Sequence, residues 1–149
     1  MATTLATLDT FRYGNPAHDC DGALIRAHSR RLATVVSVSG ELSARNRDRV
    51  ASRVARFVME ETDFILDLGG LDSVDIACRS LIHVVDDACR IAGVAWVLVA
   101  ADDIVDALDL DDDEVRCWGA RTVPAALRVF ADAASARQRA LLPMLGRTA

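Results

Sequence analysis

The sequence predicts an α/β domain: one mixed, mainly parallel sheet of about five strands, with about four helices packed against it. Three observations carry that expectation. Strand-like and helix-like segments alternate along the chain, which favours crossover connections between parallel neighbours. Val94–Ala100 is a continuous apolar run, as suits a strand covered on both faces. Two further segments carry apolar side chains at helical spacing.

Residues 1–22 read as a flexible lead-in, punctuated by Asn15-Pro16 and Asp21-Gly22. The domain is expected over 23–134, and 135–149 as a helical extension or tail. Ala23–Arg31 is the first predicted strand, with Leu24, Arg26 and His28 alternating against Ile25 and Ala27. The β-branched run Thr34–Ser39 is the second. Ser43 is placed to cap a helix over Ala44–Met59, in which Val50, Val54, Phe57 and Val58 share a stripe. Phe64–Leu68 is a short strand leaving through Gly69-Gly70 and Asp72-Ser73. Asp75 is placed to cap the next helix, whose inner stripe is Cys78, Leu81, Ile82, Val85 and Cys89 and whose end is Gly93. After the strand Val94–Ala100, Asp102 and Asp103 suit the N-terminus of a short helix carrying Ile104, Val105 and Leu108. Val115–Trp118 is a last short strand. Thr122 and Pro124 open a final helix, bearing Val123, Leu127, Phe130 and Ala134, that runs toward Ala140 before Pro143.

Composition narrows the function. The 149-residue chain is 52% hydrophobic and carries a net charge of -5, enough apolar material for a core and the wrong sign for general phosphate-backbone binding. No apolar run approaches the roughly 18 residues of a membrane helix, and no secretory pattern opens the chain, so a cytoplasmic protein is expected. Cys20, Cys78, Cys89 and Cys117 are scattered without a C-x-x-C pair, which argues against a disulfide framework and a structural zinc site. The run Asp109, Asp111, Asp112, Asp113 lacks the glycine of a calcium loop and reads as a solvated turn. No nucleophile, base and orienter assemble from the sequence, so a non-enzymatic protein without cofactor or metal is expected.

Two stretches then stand out. Residues 35–43 read Val-Val-Ser-Val-Ser-Gly-Glu-Leu-Ser, and residues 65–75 read Ile-Leu-Asp-Leu-Gly-Gly-Leu-Asp-Ser-Val-Asp before a helix. In order and spacing these resemble the STAS domain of bacterial anti-sigma factor antagonists, over roughly Ala23 to Ala134. The resemblance implies a strand ending in Gly-Glu-Leu-Asp, here Gly40-Glu41-Leu42-Ser43. It also implies an Asp-Ser-Ser-Gly stretch whose second serine is phosphorylated by a kinase-like anti-sigma factor. Here that stretch is Asp75-Ile76-Ala77-Cys78. Ala77 has no hydroxyl, so the phosphate switch at that position is lost while the fold inference stands.

Within the family the unphosphorylated loop binds the anti-sigma factor. The resemblance therefore implies an antagonist held in its binding state. Its contact loop would be Ser73, Asp75, Ile76, Ala77 and Cys78, its adjacent edge Gly40, Glu41 and Ser43, and its charge contacts Arg45 and Arg49. The loop follows a strand and feeds a helix N-terminus, an edge at which α/β proteins bind ligands and partners. The plainer readings are a helix cap for Asp75, a polar loop residue for Ser73, a solvated face for the arginine-rich helix, and core or sheet-edge aromatics for Trp96 and Trp118. Cys78 in a first helical turn has a redox reading, since the helix dipole lowers a thiol pKa; Cys117 is its only candidate for pairing. It also starts the apolar stripe, as a buried thiol would. Rival functions are a cytoplasmic subunit of a lipid-transporting ABC system, a small-molecule or redox sensor, and a structural homodimer.

Overall fold

Alternation and β-branching set the first strands. In the computed structural model, which describes residues 17–113 and 119–148, β2 (Ala23–Ser29) buries Ala23, Ile25 and Ala27 and turns Leu24 and Arg26 outward. It pairs antiparallel with β3 (Ala33–Leu42) and with β1 (His18–Cys20). β1 shortens the lead-in expected through Gly22. Asp21 and Gly22 have φ of 51° and 101°, the two positive values that a two-residue hairpin turn requires. The sequence carries this as Asp-Gly, but three strand residues are too few for a periodic signal.

From β3 onward the chain alternates. α1 (Arg47–Ala55) leads to β4 (Asp63–Val74), then a 3-10 turn (Ile76–Cys78), α2 (Arg79–Ala92), β5 (Trp96–Val99), α3 (Asp102–Ala107), β6 (Gly119–Ala120) and α4 (Val123–Thr148). The sheet order is β1-β2-β3-β4-β5-β6, and the β3–β4, β4–β5 and β5–β6 pairs are parallel. A mixed, mainly parallel sheet is thus present, with six strands and four α-helices among the described residues.

Several boundaries differ from the sequence reading, each for a local reason. Gly69-Gly70 does not end β4. The register runs Ser37↔Asp67, Ser39↔Gly70 and Glu41↔Ser73, so β4 absorbs two extra residues as bulges and continues to Val74. Ser43 does not cap α1. Its hydroxyl accepts only from the Arg45 N–H, 3.3 Å, while the residues before Arg47 form turns around Asn46. The last expected strand, Val115–Trp118, lies outside the described residues, as do Cys117 and Trp118; β6 follows at Gly119. The Thr122 hydroxyl accepts the Ala125 N–H at 3.2 Å and opens α4 as read. The boundary expected at 134/135 falls inside this one helix, which also continues past Pro143.

The core has two parts. One face of the sheet carries Ile25, Val36, Val38, Phe64, Leu66, Leu68, Trp96 and Leu98, packed under α1, α2 and α3 by Val50, Val54, Leu81, Ile82, Val85, Cys89 and Ile104. The other carries Val35, Ile65, Val97 and Val99 under Ala126 and Phe130 of α4. β5 is buried at all four residues because both faces are covered there. Trp96 keeps its indole N–H paired with the Asp86 carboxylate at 2.9 Å, as a buried tryptophan must. α4 does not reach the β2–β3 end of its face, where Leu24, Arg26, His28, Ser37 and Ser39 line an open depression.

Candidate functional site

The carboxyl ends of β3 and β4 meet at Leu42↔Val74, and the Asp75 N–H donates to the Leu42 carbonyl at 3.0 Å. The loop therefore starts from a fixed point at the sheet edge. Asp75 then turns the chain: its Oδ1 accepts the Ala77 N–H at 3.0 Å and its carbonyl accepts the Cys78 N–H at 2.9 Å. This is the cap expected of Asp75, placed on a 3-10 turn that leads into α2. The turn leaves Ile76 57% exposed, an apolar side chain presented to solvent beside exposed Ser73 and Asp75.

The Ala77 carbonyl has two donors, Arg47 Nη1 at 3.1 Å and Ser80 Oγ at 3.3 Å. Arg47 thus ties the first turn of α1 to the loop, and a guanidinium stands next to residue 77. Sequence reasoning selected Arg45 and Arg49 from the same helix and passed over Arg47. Nothing in a run of five arginines distinguishes the one that reaches inward.

Asn46 was missed altogether. It is 1% exposed and binds everything around it. Its amide N–H2 spans the carbonyls of Cys20 (3.1 Å), Asp21 (3.1 Å) and Glu41 (2.9 Å), and its Oδ1 accepts the Ser43 N–H at 3.0 Å. It joins the β1–β2 turn, the end of β3 and the start of α1. The Glu41 N–H also donates to the Gly22 carbonyl at 3.0 Å, and Arg49 reaches Asp21 at 2.7 Å. The residues expected at the adjacent edge therefore divide. Glu41 and Arg45 are exposed beside the loop. Gly40, Ser43 and Arg49 are engaged with the hairpin turn and Asn46.

Cys78 lies inside the turn. It is 0% exposed, and burial pushes its thiol above the ordinary value, outweighing the backbone hydrogen bond from the turn and the nearby Arg47. The expected lowering by the helix terminus loses to desolvation. Cys89 is buried likewise and pushed up to about 12, by burial first and then by Asp86 and Asp63. Cys117, the pairing candidate, lies outside the described residues. Native Cys78 and Cys89 are expected to react with a thiol reagent at pH 8 at least about a hundredfold more slowly than in denaturant. Equal rates would show the thiols to be accessible. The same shifts have a sign in stability: the folded chain holds these protons more tightly than the unfolded one. For both thiols that contribution is complete below pH 9 and is lost as pH rises further, for Cys89 toward about 12.

Among the described residues, no helix is long and apolar enough to cross a membrane. Residues 25–111 match the family model described as the STAS domain. The chain is 39% identical to Osmosensory protein A of Mycobacterium tuberculosis, in an alignment of 158 residues that takes in the whole of both proteins. Its fold is similar to the crystal structure of an anti-sigma factor antagonist from Mycobacterium paratuberculosis, with a TM-score of 0.60 and 14% identity over 76% of this chain and 97% of that one.

Proposed function

This chain belongs to the STAS domain family, and from that premise we propose that it is a non-enzymatic regulatory binding protein that sequesters an anti-sigma factor and frees a sigma factor for transcription. The carrying observation is the Asp75–Ala77 turn, which presents exposed Ile76 and has no hydroxyl at residue 77. Its shape is maintained by Asp75 from within and by Arg47 from α1. The turn therefore stays unphosphorylated at residue 77, and binding is constitutive with respect to phosphate at this position. Ser73, Asp75, Ile76 and Ala77 make the contact, with Glu41 and Arg45 at its rim; Cys78 supports the turn from inside. The name of the 39% identical relative, Osmosensory protein A, supports osmotic response as the setting proposed for this antagonist.

The test is Ala77→Glu, which places negative charge where the family carries phosphate. Against an anti-sigma factor of the source organism, identified by co-purification and then purified, affinity is expected to fall at least about tenfold, while Ala77→Gly stays near the parent. Unchanged affinity for Ala77→Glu would move the contact away from this turn. Co-purification with a lipid-transporter subunit would replace the antagonist reading.

A further inference from the structure

The charges of this chain are sorted in space. On α1 and the turns on either side of it, Arg45, Arg49, Arg53 and Arg56 follow one another at helical spacing. Arg49, Arg53 and Arg56 line, with Asp48 and Ser52, an open groove of about 330 Å³. Arg49 is paired with Asp21, but Arg45, Arg53 and Arg56 have no acidic partner among the described residues. Around α3 the sign reverses. Asp102, Asp103, Asp106, Asp109, Asp111, Asp112 and Asp113 are all exposed within residues 102–113. Arg121 pairs with Asp102 at 3.4 Å, while Asp103, Asp106 and Asp112 have no basic partner among the described residues. α1 packs on β2 and α2, whereas α3 packs on β4 and beside the β5–β6 edge. The two surfaces lie on different parts of the molecule and do not neutralise each other within one chain.

We infer that the arginine groove of α1 docks the aspartate-rich α3 surface of a second copy of this chain. The complement that the groove requires, an exposed surface on which Asp103, Asp106 and Asp112 stand without a basic partner among the described residues, is present on the molecule itself. The contact joins two different patches, so it is heterologous: one copy keeps its aspartate patch free and the other its arginine groove, and a further copy can add at either end. Single exposed ion pairs contribute little, and a contact made of several is weak and screened by salt. Ionic strength then sets the assembly state: longer at low salt, monomeric at high salt. This inference does not depend on the loop reading, because neither patch includes Asp75–Ala77.

Sedimentation velocity on the full chain, across a concentration series at 50 mM and 500 mM NaCl, tests it. Mass-averaged size is expected to rise with concentration at low salt, with self-affinity at least about tenfold lower at high salt. Two surface variants, R53Q/R56Q and D103N/D106N, are each expected to be monomeric. Their equimolar mixture is expected to form a one-to-one dimer and nothing larger, because only one intact pair of patches remains. Circular dichroism confirms that both stay folded. A wild-type chain monomeric at 50 mM salt, association unmoved by salt or by either variant, or a mixture that fails to dimerise would each overturn the inference.

Discussion

Gly40→Ala is expected to lower the melting temperature by roughly 10 °C, an effect of about 3 kcal/mol at this chain length. Two terms add. Gly40 has a φ of 89°, where a side chain is strained. A Cβ there would stand 2.4 Å from the backbone carbonyl oxygen of Gly22, which cannot rotate away as a flexible side chain could. That oxygen accepts the Glu41 N–H, so relieving the clash breaks the tie between the hairpin turn and β3. Thermal unfolding followed by circular dichroism reads the shift. A change under about 2 °C would mean that the turn moves aside freely.

Asn46→Ala is expected to cost about 3 kcal/mol, since it leaves three carbonyls and one N–H without their partner at a buried junction. Asn46→Asp separates hydrogen bonding from size. It keeps the shape and the acceptor for the Ser43 N–H but turns a second oxygen on the carbonyls of Cys20, Asp21 and Glu41. It is expected to be no milder than alanine in denaturant unfolding. Wild-type stability for Asn46→Asp would show that Asn46 fills space without bonding. Both variants should also raise amide exchange at Glu41 and Ser43, because the junction and the edge of the site share the same hydrogen bonds.

These two residues mark how far the sequence could be read. The α/β class, the apolar strand at Trp96–Val99, the amphipathic α2 ending at Gly93 and the cap at Asp75 are written in local pattern, and local pattern survives into the fold. The loop position came from the order of two short motifs around β3 and β4. What could not be read depends on residues distant in the chain. Asn46 bonds carbonyls up to 26 positions away, and Arg47 reaches a carbonyl 30 positions away. Cys78 illustrates a competition: its helix position argued for a lowered thiol pKa, while the packing around it buries the thiol and pushes that pKa up. The bulges in β4 were hidden because Gly69-Gly70 reads equally as a stop and as an irregular strand.

The strand order has a consequence for how the chain is made. Each strand hydrogen-bonds to the one before it in sequence, from β1 through β6. Contact order is therefore low for a sheet with parallel pairs, and the search for partners is short. On the ribosome, every strand after β1 emerges to find its template already synthesised, and the growing edge moves with the nascent chain. α4 follows β6 and seals the second face over β4 and β5, so Val97, Val99 and Phe130 are buried only once this helix has emerged and docked. Until that moment the face beneath α4 is the nascent protein's exposed apolar surface, and it is there that a chaperone would find its hold.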